Sequence, residues 1–156
     1  MARNEHLYEA VLVWTGANAG PTTSYQSYSR EYRVELPGKP PFIGSADPTF
    51  LGDGKLYNPE DLLLAALSAC HMLSYLALCA REKLLVRAYR DEAVGTMAIK
   101  DGKMRFVSVL LRPHVVIAEP DKLERAKALH TRAHAECFIA NSVNFPIGND
   151  PAVTVG

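Results

Sequence analysis

An excess of charge of either sign is missing from this chain, and cysteine is scarce. The 156 residues carry 17 Lys plus Arg against 17 Asp plus Glu, so the formal net charge is zero. No basic run interleaved with aromatics is present, which argues against a nucleic-acid partner. Three cysteines, and no apolar signal-peptide core in the opening MARNEHLYEAVLVW, argue against a secreted disulfide scaffold. The expected compartment is a reducing cytoplasm, where cysteines tend to be catalytic or metal-binding. No internal repeat, low-complexity tract or clear linker divides the chain. Its length fits one domain over residues 1–156, or two lobes sharing a core. With 48% apolar and 22% charged residues it is a folded globular chain.

The chief positive feature is one long helix, expected from Asn58 to about Lys83. Asn58-Pro59-Glu60-Asp61 supplies an N-cap, a proline suited to the first helical position, and two acids at the positive end of the dipole. Between Leu62 and Ala80 no residue is charged. The run is long enough to raise the question of a membrane span. Its Ala and Ser content, His71 at its centre and the lack of a second span favour instead a helix buried on all sides, with no membrane partner. A chain this short has difficulty wrapping such a helix alone, so a homodimer with two such helices packed together is expected.

Around it the pattern is mostly strand. Residues 7–14 and 28–36 alternate, the second with Tyr32, Val34 and Leu36 on one face. Residues 40–57 form a long loop with a short strand near 41–45. Residues 86–99 and 103–112 predict two strands joined at Asp101-Gly102, a type I′ hairpin signal, and 115–117 resumes after Pro113. A second helix is expected over 120–136, a helical turn near 138–143 and an edge strand over 151–155. The fold class is α+β, with sheets covering a central helix pair.

Cys70 sits in mid-helix, where a thiol is ordinarily inert packing. Cys79, nine residues on, faces the opposite side and is the expected inert thiol. Cys137 lies where one helix ends and a short one begins, so a helix N-terminus can act on it. A reactive Cys70 needs a cation from elsewhere, because desolvation alone silences a thiol. Arg30 shares strand parity with Tyr32 and Val34 and so points inward. The other placement is just before the strand, turned out into water. An inward arginine needs an anionic partner, and Glu60 is available for that role or for helix capping. Glu60 lies ten residues before Cys70, about 15 Å along the helix, so it serves that cysteine only from a second subunit. His130 and His134, spaced i, i+4 near Cys137, have zinc-binding spacing without an HExxH glutamate. His71 projects about 100° away from Cys70 and is not placed as its base.

NPEDLLLAALSACH and AHAECFIANSV, in this order and at this separation, resemble the OsmC/Ohr family of osmotically inducible and organic-hydroperoxide-resistance proteins. The resemblance covers most of the chain and least its N-terminal third. It implies an OsmC-like fold, antiparallel sheets around a long buried helix, and an intertwined homodimer with active sites at the subunit interface. It also implies a cysteine peroxidase without cofactor or metal, acting on organic or lipid hydroperoxides and recycled by a small or protein dithiol. Cys70 matches the peroxidatic thiol and Cys137 the resolving thiol with which it forms a disulfide. Glu60 matches the carboxylate that pairs with an essential arginine. Some members carry that arginine just before the NPE motif, where 47–57 has none. Others carry it near the first turn, where Arg30 is the match. His71 stands where a Phe is common. Two alternatives remain: a ligand-binding member of the fold without catalysis, and a metal site of Cys137, His130 and His134.

Overall fold

The computed structural model describes residues 5–156, which fall into two compact units divided between Leu62 and Leu63. The first unit is a three-stranded antiparallel sheet, β1 (Val11–Val13), β2 (Tyr32–Glu35) and β3 (Phe42–Gly44), in the order β1-β2-β3. Both of its leading strands are shorter than the alternation predicts. Leu7 and Tyr8 lie outside β1 and remain 85% and 89% exposed, whereas Trp14 packs edge-on against Tyr28. β2 begins only at Tyr32, which leaves Arg30 outside the strand and removes the parity argument for its direction. In the β2–β3 pair Tyr32 lies opposite Gly44, and a Cβ on that glycine would sit 2.4 Å from the Tyr32 ring. Gly44 is what allows the ring to lie flat on the neighbouring strand.

Helix α1 (Pro59–Arg81) starts as its sequence dictates. The Asp61 amide donates to Asn58 Oδ1 (2.8 Å) and the Asn58 amide donates back to Asp61 Oδ2 (3.2 Å), a reciprocal capping pair. Asp61 therefore does the capping, and Glu60 is left free of it. The helix ends where Lys83 takes φ 54 and the Leu84 amide returns to the Cys79 carbonyl (2.9 Å).

The second unit pairs two three-stranded sheets with two helices. One sheet runs β4 (Val86–Asp91), β7 (Pro113–Ile117), β9 (Ala152–Val155), and the other β5 (Val94–Lys100), β6 (Lys103–Leu111), β8 (Ile147–Asn149). The single strand expected over 86–99 is thus two strands in different sheets. The break lies level with Pro113, which has no N–H to continue a ladder: Asp91 pairs with Pro113, whereas Val94 pairs with Leu110. Asp91 anchors the corner by accepting from Ser68 Oγ (2.5 Å) and the Arg112 amide (2.7 Å). At the tip of β5–β6, Asp101 and Gly102 take φ 52 and 73, the left-handed pair a type I′ turn requires. Each sheet also adds a parallel edge strand, β8 on β6 and β9 on β7, beside its antiparallel pair. β8 is three residues long and carries no alternation, which is why sequence periodicity misses it.

Helix α2 (Leu123–Glu136) follows a 3-10 turn over Pro120–Lys122. Tyr75, Leu78 and Cys79 of α1 pack with Ala126, Leu129 and Ala133 of α2 over Val115, Ile117 and Val153. Full burial of a leucine such as Leu129 contributes about 1.5–3 kcal/mol. By length and composition α1 is apolar enough to cross a membrane. In the fold it is not buried on all sides: Leu67, His71, Tyr75, Leu78 and Cys79 form its buried face, while Leu62 and Leu73 are 37% and 62% exposed.

Candidate active site

Cys70 and Cys137 come together although 67 residues of sequence separate them. Cys70 is half-buried on α1, and Cys137 is 1% exposed at the C-cap of α2, where the Cys70 thiol is its neighbour. The Ala140 amide, at the start of a 3-10 turn over Ala140–Ser142, donates to Cys137 Sγ at 3.4 Å. That is the helix-terminus contact expected from the sequence, but burial outweighs it. Burial, with the adjacent Cys70 thiol adding to it, pushes Cys137 up to about 11. Cys137 is therefore a protonated thiol at neutral pH. Cys79 has its pKa raised by burial in the core.

Cys70 opens onto a cavity of about 630 Å³ on the exposed side of α1. Ala66, Ala69, Leu73 and Ala77 give it an apolar floor, and Phe138, 81% exposed, stands beside them. Arg81 and Glu136 line it too, 3.8 Å apart as an ion pair. An alkyl group is the kind of ligand such walls accept.

His71, about 100° around the helix from Cys70, turns into the buried face. Its Nε2 lies 3.1 Å from His130 Nδ1 and 3.0 Å from Asn149 Nδ2, and Tyr75 stacks on the His130 ring with centroids 3.9 Å apart. Burial pulls both histidines down to about 4; at His71 Asp91 opposes the shift and His134 adds to it, and at His130 His71 adds to it. Between an unfolded value near 6.5 and the folded value near 4, the unfolded chain binds more protons, so stability rises with pH across that window. Acidification from about pH 7 to about pH 5 is expected to lower the urea midpoint, and an unchanged midpoint would show that these rings protonate freely in the fold.

The other two candidate residues share a second cavity, of about 530 Å³, within the first unit. Arg30 and Glu60 both line it, with Trp14, Tyr28 and Phe50 among its walls. The Arg30 guanidinium lies 3.8 Å from the Tyr28 ring centroid and 4.8 Å from that of Tyr25, and donates to the carbonyls of both residues. Neither sequence-derived placement describes it fully: it is half-buried outside the strand, held by aromatic faces and carbonyls. Among the described residues no carboxylate pairs with it, and Glu60 faces the same cavity without a salt bridge. The first unit therefore holds a planar cation and a carboxylate on the walls of one cavity, the cation already engaged by carbonyls and aromatic faces.

The metal alternative finds no such convergence. His130 is bonded to His71 while Cys137 faces Cys70, and among the described residues no three His, Cys, Asp or Glu side chains form a metal-sized group. What sequence reasoning missed is the His71–His130–Asn149 cluster. The available signal was a histidine at the centre of an uncharged run, since a buried ring nitrogen needs a partner.

Two apposed thiols beside an apolar cavity, on helices covered by small mixed sheets, define an α+β thiol protein. The chain belongs to the OsmC-like protein family, whose family model matches residues 52–148. Its fold is similar to that of an OsmC-like protein of unknown function from Vibrio cholerae O1 biovar eltor: 34% identity over 95% of this chain and 100% of that one, with a TM-score of 0.87. An organic hydroperoxide resistance protein from Elizabethkingia anophelis shares the fold at 20% identity, 99% coverage of both chains and a TM-score of 0.69. The uncharacterized protein YmaD of Bacillus subtilis (strain 168) is 26% identical over 95 residues, 59% of this chain and 63% of that relative's length. The matched stretch contains the whole of α1 and α2 and begins after the first unit's sheet.

Proposed function

We propose that the protein is a thiol peroxidase that reduces organic hydroperoxides to alcohols. The observation that carries this reading is the Cys70 thiol, opening on an apolar cavity and backed by the protonated Cys137 thiol. The name of the Elizabethkingia neighbour, an organic hydroperoxide resistance protein, supports the substrate class.

In the reaction the Cys70 thiolate attacks the terminal peroxide oxygen. The O–O bond breaks, the alkoxide takes up a proton and leaves as the alcohol, and Cys70 becomes a sulfenic acid. Cys137 then attacks the sulfenic sulfur and gives up its proton, water leaves, and a Cys70–Cys137 disulfide forms. An external dithiol returns both thiols by exchange and is itself oxidised to a disulfide. No cofactor or metal is needed. The high pKa of Cys137 suits its role, because it does not compete for peroxide and stays in place for the second step.

The working form in this proposal is a homodimer. The exposed apolar side of α1 around Leu73 is the surface a second α1 covers. In that arrangement Arg30 of the partner subunit polarises the peroxide at Cys70, and Glu60 of the partner subunit orients the guanidinium.

The test is titration with one equivalent of cumene hydroperoxide. Wild type is expected to lose two thiols per chain and release cumyl alcohol. Cys137→Ser is expected to lose one thiol and hold a dimedone-reactive sulfenic acid. A wild-type protein that keeps both thiols under this treatment sinks the reading.

A further inference from the structure

The two helices that carry the thiols meet at three successive points, and the middle one is a buried hydrogen bond between histidines. The Tyr75 hydroxyl donates to the Ala126 carbonyl at 3.2 Å, His71 Nε2 meets His130 Nδ1 at 3.1 Å, and Cys70 meets Cys137. Along α1 these contacts descend from 75 to 71 to 70, while along α2 they ascend from 126 to 130 to 137. The helices therefore run past each other in opposite senses, with the thiols at the end of the ladder. Around the rungs the packing is supplied by Leu78, Leu129 and Ala133 of the same core cluster, side chains without directional bonds. Apolar surfaces tolerate a small slide, whereas a buried donor and acceptor lose their partners if one occurs.

We propose that His71 and His130 are positioning residues that set the register of α1 on α2, and so hold Cys137 where it can close a disulfide onto Cys70. Bridging requires the two Cα atoms to lie roughly 4.4–6.8 Å apart. A slip of one residue along a helix moves a side chain about 1.5 Å axially and turns it about 100°, enough to lose that geometry. Both rings are deeply buried, at 1% and 2% exposure, so losing the bond leaves buried polar atoms unpaired. Asn149 holds His71 from the β8 side, and Tyr75 stacks on His130, so each ring has one further support that fixes its plane. His71 adjoins Cys70 in sequence, and His130 lies about two helical turns before Cys137. The bond thus couples the segments that must stay apposed while Cys70 is modified and its partner attacks.

The proposal rests on the pairing of Cys70 with Cys137, and it is tested without peroxide so that it can fail separately from the peroxidase reading. With Ellman's reagent, the Cys70 thiolate attacks the aryl disulfide and releases one thionitrobenzoate, forming a mixed disulfide. Cys137 loses its proton, attacks Cys70 Sγ and releases a second thionitrobenzoate as the protein disulfide forms. Cys137→Ser marks the first release alone.

In His130→Leu the first release is expected to stay within about threefold of wild type, and the second to slow by about tenfold or more. His130→Asn places an amide near the position of Nδ1, and His71→Gln reaches as far as Nε2. Each is expected to restore the second release to within about threefold, which a merely volume-filling role does not predict. If His130→Leu fails to fold, these two polar variants carry the test. A tenfold slower second release in both overturns the proposal. So does an unchanged second release in His130→Leu, a matched slowing of both releases, or a wild type that releases only one thionitrobenzoate.

Discussion

Cys70→Ser is expected to abolish hydroperoxide turnover, by roughly a thousandfold or more, the scale on which removal of a reacting nucleophile registers. A serine hydroxyl is not ionised near neutral pH and cannot form the sulfur–oxygen bond of a sulfenic acid. Neither remaining cysteine offers a substitute. Cys137 is 1% exposed and pushed up to about 11 by burial, so almost none of it is thiolate. Cys79 is 1% exposed in the apolar core and off the cavity that Cys70 lines. The fold should survive the change, because Cys70 is only half-buried and borders a cavity, where a slightly smaller side chain leaves no closed void. The measurement is the initial rate of cumene hydroperoxide loss with dithiothreitol as reductant. Retention of more than about a tenth of the wild-type rate would remove Cys70 from the mechanism.

Arg30→Met is expected to produce the second-largest loss, about a hundredfold in hydroperoxide turnover. Methionine keeps an unbranched apolar side chain over Tyr28 while removing the charge and its donors. The informative version mixes two inactive chains. In a two-fold dimer that draws Arg30 from one subunit and Cys70 from the other, an Arg30→Met chain paired with a Cys70→Ser chain holds one intact site and one doubly defective site. After unfolding and refolding equal amounts together, about half the dimers are mixed, and about a quarter of wild-type activity should return. Activity that stays at the level of the separate mutants shows that the two residues do not cooperate across subunits. The same outcome would leave Arg30 to the carbonyls and aromatic rings that hold it within the first unit.

Much of the architecture was legible because its signals are local. Asn58 and Asp61 bond each other across one turn, and Pro59 needs only its own fixed φ. Asp101-Gly102 forms its turn from two backbone angles. Elements that depend on neighbours distant in sequence were read less well. The strand over 86–99 gives no internal sign that it divides, since the cause is Pro113 on the strand opposite. Tyr28 and Arg30 continue the alternation of β2 by residue type, yet the ladder stops at Tyr32. The strand over 7–14 contracts to three residues, Val11–Val13, the length that pairs with β2.

The candidate site divides the same way. From sequence alone, Cys70 was a thiol on a well-capped helix, Cys79 faced away from it, and Glu60 was out of reach along the same helix. Each of these follows from helical rise and twist, which hold wherever the helix forms. Which groups Cys70 and His71 would meet was not written in their own segment. Cys137 is 67 residues away and His130 is 59, and only the packing of α2 against α1 brings them in. Tertiary structure also decided the state of Cys137, where burial overcomes the Ala140 amide that local sequence provides. It also decided which face of α1 the chain itself covers, the one with Leu67, His71, Tyr75, Leu78 and Cys79. Local covalent geometry fixes the elements and the direction of each side chain, whereas burial and partnership depend on the whole chain having folded.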